Sequence, residues 1–134
     1  MAGNYTNKKL PGVGVSIGLS RLFYKLNELG LINASQKSIS KLLIIPMAEN
    51  DTILKKATEL ANNLRALNIN TEVYLSNKKL KAKMKYADKL EIPYIIVIGE
   101  DEINTKTIKI KNMATGEEQE AALDAAIVAK KIEL

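Results

Sequence analysis

Apolar positions change rhythm along this chain, and each rhythm predicts an element. Residues 10–17 (LPGVGVSI) alternate small and branched apolar positions, which predicts a short strand. Leu19, Leu22, Phe23, Leu26 and Leu29 then recur at helical spacing until Gly30 stops the helix. The polar stretch 33–40 (NASQKSIS) breaks the pattern and reads as a linker. Beyond it the unbroken run 42–45 (LLII), closed by Pro46, predicts a fully buried strand. Asn50 and Asp51 offer a cap, and Ile53, Leu54, Ala57, Leu60, Ala61, Leu64 and Leu67 draw one apolar stripe over a helix at 51–67.

The alternation at 69–75 (INTEVYL) predicts a second strand, and Ser76 offers a cap for a helix reaching to about Leu90. Pro93 introduces a buried strand at 94–98 (YIIVI). Residues 107–113 and 117–122 flank an ATG turn as a hairpin, and 123–134 close the chain as an amphipathic helix with Lys130 and Lys131 at its C-terminal end. The order βαβαββα predicts an α/β fold: a mixed, mostly parallel five-stranded sheet with helices on both faces, carrying an N-terminal strand-helix appendage. Three parts follow: 1–32, a linker at 33–40, and a main domain at 41–134.

Composition narrows the chemistry. The 134 residues contain no Cys and no His, so disulfides, thiolate or imidazole metal ligands, and triads built on histidine are excluded. Twenty Lys and Arg against fifteen Asp and Glu give a formal net charge of +5, which suits an anionic partner without requiring one. Aromatic residues make up 4% with no Trp, too few for a broad base-stacking platform. No apolar run approaches a membrane span, and a cytoplasmic location is the plain expectation.

Five groups could carry function. Gly12, Gly14 and Gly18 mimic a dinucleotide-binding turn by spacing, but they alternate with Val and Ile inside the predicted strand instead of following it. Small residues that let a neighbouring segment approach are the simpler account. Arg21 lies opposite the Leu19 and Phe23 stripe, either facing solvent or gripping a phosphate. Lys78, Lys81, Lys85 and Lys89 fall within roughly 40° of a common helix face, with Lys79 and Lys83 at its edge and Leu80, Met84 and Ala87 toward the core. Such a stripe is either a solvated face or a set of phosphate contacts. Asn50, Ser76, Asn77 and Glu100, in the loops after the strands, carry amides, hydroxyls and carboxylates that match base edges. Glu100, Asp101 and Glu102 could suggest magnesium, but adjacent side chains diverge, so a capped surface turn is the better reading.

The segment PGVGVSIGLSRL, residues 11–22, closely resembles the third signature motif of class II aminoacyl-tRNA synthetases in its histidyl form. LLIIPM from Leu42, YLSNKKLKAKMKYADKLEIPYIIVIGEDEI from Tyr74 and KNMATGEEQE from Lys111 resemble the anticodon-binding domain of the same family. The resemblance implies the three-layer anticodon-binding fold of those enzymes, with tRNA as partner and Lys78, Lys81, Lys85, Asn50, Ser76, Asn77 and Glu100 as contacts. It also implies a parent histidine-tRNA ligase, a homodimer using ATP and Mg2+, in which Arg21 contacts ATP phosphates and Gly14 and Gly18 line the pocket. Ser20 departs from the Asp or Glu usual in that motif. The first two signature motifs and the histidine-recognition segment do not occur in these 134 residues, so the chain reads as a C-terminal piece, inactive alone and needing no cofactor. A flavodoxin-like module binding a small molecule or a regulatory ligand at the same strand ends is the alternative.

Overall fold

A computed structural model describes residues 12–33, 37–47 and 50–132, and the chain divides into two compact units, Met1–Ser35 and Gln36–Leu134. In the first unit the helix α1 (Leu19–Glu28) forms where the leucine spacing predicts it. Its end is a left-handed cap: Gly30 takes φ +66°, while its N–H and that of Leu31 return to the carbonyls of Asn27 and Leu26. The predicted strand before it is not found. Residues 12–17 carry no strand pairing, and Leu10 and Pro11 lie outside the described residues. A strand is made by its ladder partner, and none of the five paired strands belongs to this unit.

The second unit is a five-stranded sheet in the order β2-β1-β3-β4-β5. Its strands are β1 (Leu42–Pro46), β2 (Thr71–Val73), β3 (Tyr94–Ile98), β4 (Thr107–Asn112) and β5 (Glu118–Ala122). β2 and β3 pair parallel to β1, and β4 runs antiparallel to both β3 and β5, so four of the five strands point the same way. All five residues of the interior strand β1 are buried. Alternation then divides them between two cores: Leu42 and Ile44 on one face, Leu43 and Ile45 on the other.

On the first face packs α2 (Asp51–Ala66), burying Ile53, Ala57, Leu60, Ala61 and Leu64. The Asn50 side chain accepts from the Thr52 N–H at 2.9 Å, the cap expected from sequence. α5 (Ala125–Ile132) joins this face with Val128, Ala129 and Ile132. Asp124 Oδ1 accepts the Ala126 and Ile127 N–H groups, which starts α5 two residues later than the apolar pattern suggests. The opposite face carries α3 (Leu80–Lys89), through Met84, Tyr86 and Ala87.

Three details depart from the sequence reading. β2 is confined to Thr71–Val73, because the turn after α2 spends Asn68 in a left-handed conformation at φ 61° and Ile69 N–H on the Leu64 carbonyl. Ser76 does not cap α3: the helix begins at Leu80, behind Lys79, and residues 76–79 are loop. The acidic turn is helical. α4 (Glu100–Thr105) carries Glu102 in its first turn, and the Glu102 carboxylate accepts the Gly99 N–H at 2.8 Å, so this acid serves the cap.

Candidate nucleic-acid interface

Parallel strands deliver their carboxyl ends, and the loops that follow them, to one edge of the sheet. Here β1 ends at Pro46, β2 runs into Tyr74 and Leu75, and β3 ends at Gly99. Between the first two lies a cleft of about 200 Å³. Met47, Leu54 and Leu75 give it apolar walls, and Asn50, Asp51, Ser76, Asn77, Lys78 and Lys83 supply its polar groups.

Four of the residues selected from sequence therefore meet: Asn50, Ser76, Asn77 and Lys78 all line this cleft. Glu100 is tied to its rim, its Oε1 accepting from Asn50 Nδ2 at 3.4 Å. Asn50 is thus partly committed already, capping α2 with its oxygen and holding Glu100 with its nitrogen. Lys81 and Lys85 do not line the cleft. They stand exposed on α3, with Lys89 continuing the same four-residue spacing. Lys78 is not part of that helical stripe, since it belongs to the loop and its N–H returns to the Ser76 carbonyl at 2.9 Å. Among the described residues none of Lys78, Lys81 and Lys85 is in an ion pair.

Lys83 corrects the sequence reading most sharply. Placed at the edge of a solvated face by its charge, it is 8% exposed, and Nζ donates to the Pro46 carbonyl at 2.8 Å. The same ammonium lies 5.6 Å from the centroid of the Tyr74 ring, a cation–π distance. Tyr74 in turn packs edge to face against Tyr86, centroids 5.2 Å apart. One signal for this was present: Lys83 precedes the buried Ala87 by four residues and so shares its face. Leu80, assigned to the core, is instead 38% exposed at the start of α3.

Behind the cleft, Tyr86 donates its hydroxyl to Glu72 at 2.7 Å, and Ser40 Oγ approaches the other Glu72 oxygen at 3.5 Å. The hydrogen bond to that carboxylate, assisted by burial and by the negative charge, holds the Tyr86 phenol above its ordinary value. Elsewhere, on the exposed face of α2, the bond from Lys56 lowers the Glu59 carboxyl.

Residues matched to the nucleotide-binding motif lie in the other unit. A Cβ built on Gly14 would meet nothing within 4 Å, so no close approach requires glycine there, and on Gly18 it would touch only Cβ of Arg21, at 3.7 Å. Arg21 is exposed on α1, and the shallow apolar hollow of that helix is lined by Leu19, Ser20, Phe23, Tyr24 and Asn27 instead. Among the described residues no group of three or more Asp or Glu side chains could hold a metal ion.

Residues 41–131 match the family described as anticodon binding domain. Over 128 residues the chain is 45% identical to the histidine–tRNA ligase of Clostridium tetani, covering 95% of this chain and 28% of that protein. With the histidine–tRNA ligase of Stenotrophomonas maltophilia it shares 37% identity over all 134 residues, again 28% of the relative. The chain thus spans little more than a quarter of these curated relatives. Among solved structures, the histidyl-tRNA synthetase of Nostoc sp. PCC 7120 superposes with a TM-score of 0.67 at 26% identity, covering 87% of this chain and 27% of that one. The apo histidyl-tRNA synthetase of S. aureus gives 0.65 at 32% identity, over 85% of this chain and 32% of that one.

Proposed function

The chain belongs to the anticodon-binding domain family, and on that premise we propose that it is the tRNA-binding module of a ligase that joins histidine to its tRNA. The observation that carries this reading is the coincidence of two facts. The family match falls on the unit that holds the cleft, and that cleft gathers amide, hydroxyl and cationic groups at the strand ends. Lys78, Lys81 and Lys85 are point charges that position the RNA backbone, and they carry no sequence information themselves. Ser76, Asn77, Glu100 and the remaining capacity of Asn50 read the edges of splayed-out bases.

Parts of the reading extend beyond this unit. Residues 1–32 are proposed as the remnant of a catalytic domain, 33–40 as a linker and 41–134 as the anticodon-binding domain. Activation of histidine with ATP and Mg2+ belongs to the larger ligase, a cytoplasmic homodimer, where Arg21 touches ATP phosphates and Gly14 and Gly18 line their pocket. No step of that chemistry is assigned to the 134 residues alone.

Alanine at Asn77 or at Glu100 tests the base-reading assignment. Each is expected to erode the preference for the cognate anticodon by about 1 to 3 kcal/mol while leaving binding to a swapped loop nearly unchanged. Equal losses on cognate and swapped loops would remove both residues from the reading set.

A further inference from the structure

The polar stretch 33–40 reads as a linker in sequence, yet its residues 37–40 are held against the second unit where the parallel strands begin. Leu42, Thr71 and Tyr94 stand level at the start of β1, β2 and β3, on the edge opposite the cleft. The turn after α2 supplies one set of bonds. Asn70 donates from its side chain to the Ile39 carbonyl at 3.1 Å, and its own carbonyl accepts the Lys41 N–H at 2.8 Å. The turn after α3 supplies the other, an ion pair between Lys37 Nζ and a Glu91 carboxylate oxygen. Apolar burial adds little to this hold, since Ile39 is 74% exposed.

Glu91 is costly where it stands. α1 and α2 each place a left-handed residue one position past the cap, Gly30 at φ +66° and Asn68 at φ 61°, and both residue types tolerate that conformation. α3 closes in the same way, with the Glu91 N–H on the Asp88 carbonyl and the Ile92 N–H on the Ala87 carbonyl, but here φ 55° falls on a glutamate. A carboxylate just past a helix C-terminus also meets the negative end of the helix dipole. What the side chain gains in return is Lys37. We infer, independently of the tRNA reading, that residues 37–41 form a strap latched by Glu91, a positioning residue whose carboxylate fixes the path by which the chain enters β1. Both partners are more than half exposed, so salt screens the latch, and the pair shifts the ratio of latched to open strap by roughly 1.4- to 5-fold.

The test measures amide order parameters of Ser38, Ile39 and Ser40 by nuclear spin relaxation in the 134-residue chain at low salt. In wild-type protein they should lie near the value of about 0.85 typical of rigid backbone, and Glu91→Gly should lower them toward about 0.6. The same variant should raise the thermal unfolding midpoint, because glycine takes the left-handed conformation without a Cβ clash. These opposite signs separate a latch from a general loss of stability. Lys37→Glu and Glu91→Lys should each loosen the strap, and the double exchange, which restores the pair with its charges reversed, should return the wild-type values. Lys106→Gly, which relieves a left-handed residue elsewhere, should leave the strap unchanged. Added salt should loosen the wild-type strap and leave that of Glu91→Gly as it is.

Three outcomes overturn the latch. Wild-type order parameters already near those of a flexible chain at low salt would show that nothing holds the strap. Wild-type values retained in Glu91→Gly would show that Asn70 alone holds it. Failure of the double exchange to restore what the single exchanges lose would assign the loss to contacts other than the pair.

Discussion

Individual side chains in this protein are committed before any ligand arrives, and those commitments decide what each can still do. The Tyr86 hydroxyl is the clearest case, because its bond to Glu72 ties α3 to β2 behind the cleft. Replacing Tyr86 with Phe should cost about 1 kcal/mol, less than a fully buried bond to a charged group because the pair is only part-buried. The pH dependence follows from the raised phenol. A group whose folded pKa lies above its unfolded value stabilises the fold fully below the ordinary value of 10.0 and loses that contribution as pH climbs through the folded pKa. Urea unfolding of wild-type and Tyr86→Phe between pH 8 and pH 11 should therefore show a constant gap that closes only on the alkaline side. A gap that widens as pH rises would contradict the assigned donor. Lys83 makes the opposite point, since its formal charge suggested solvent while its place four residues before Ala87 put it inside.

Elements were legible where a long stripe of one period met a chemical stop signal. The spacing through 53–64 and the Asn50 cap marked α2, and the run of branched residues at 42–45 marked the buried strand β1. α4 was not legible as a helix. It has six residues and a single partly buried apolar side chain on the core, Ile103, and it ends on Lys106 at φ 53°, where glycine would have signalled a stop. The start of α3 differs from the sequence pattern for a related reason: Ser76 is a good cap by type, yet the chain first runs as a loop along the cleft, so the capping position falls on Lys79 with no side-chain bond. Of the strand expected at 10–17, the described residues 12–17 are unpaired, because alternation describes a face and says nothing of the partner that must pair with it. Within the candidate site, the loop residues could be chosen from sequence by chemical type, but their gathering around one cleft depends on the sheet order. The left-handed Lys106 offers a direct check on α4. Lys106→Gly should raise stability by about 0.5–1 kcal/mol in denaturant unfolding, because glycine adopts that conformation without a Cβ penalty. A loss of stability would mean that the Lys106 side chain contributes more than its backbone costs.

Across the whole molecule, the sheet of the second unit gathers the loops after its parallel strands at one edge, where Lys78 and Lys83 line a cleft, and α3 carries Lys81, Lys85 and Lys89 exposed beyond it. The first unit adds an exposed amphipathic helix and one arginine, and the first two signature motifs do not occur in the 134 residues. The 134-residue chain should accordingly show no histidine-dependent exchange between ATP and pyrophosphate. Exchange above background from purified protein would require a catalytic site that the described residues do not form.

Anticodon reading by this chain, as proposed, is tested by the affinity of wild-type protein for cognate and anticodon-swapped stem-loops of histidine tRNA, titrated against salt. Binding should be weak, because few phosphates are touched and little aromatic surface is available for stacking, and it should fall as salt rises. The cognate loop should be held more tightly at every salt concentration, and Lys78→Ala or Lys81→Ala should each lower the salt slope by about one without changing the preference. Equal affinity for both loops across the whole titration would contradict anticodon reading, and the lysines of α3 would then be a solvated helix face.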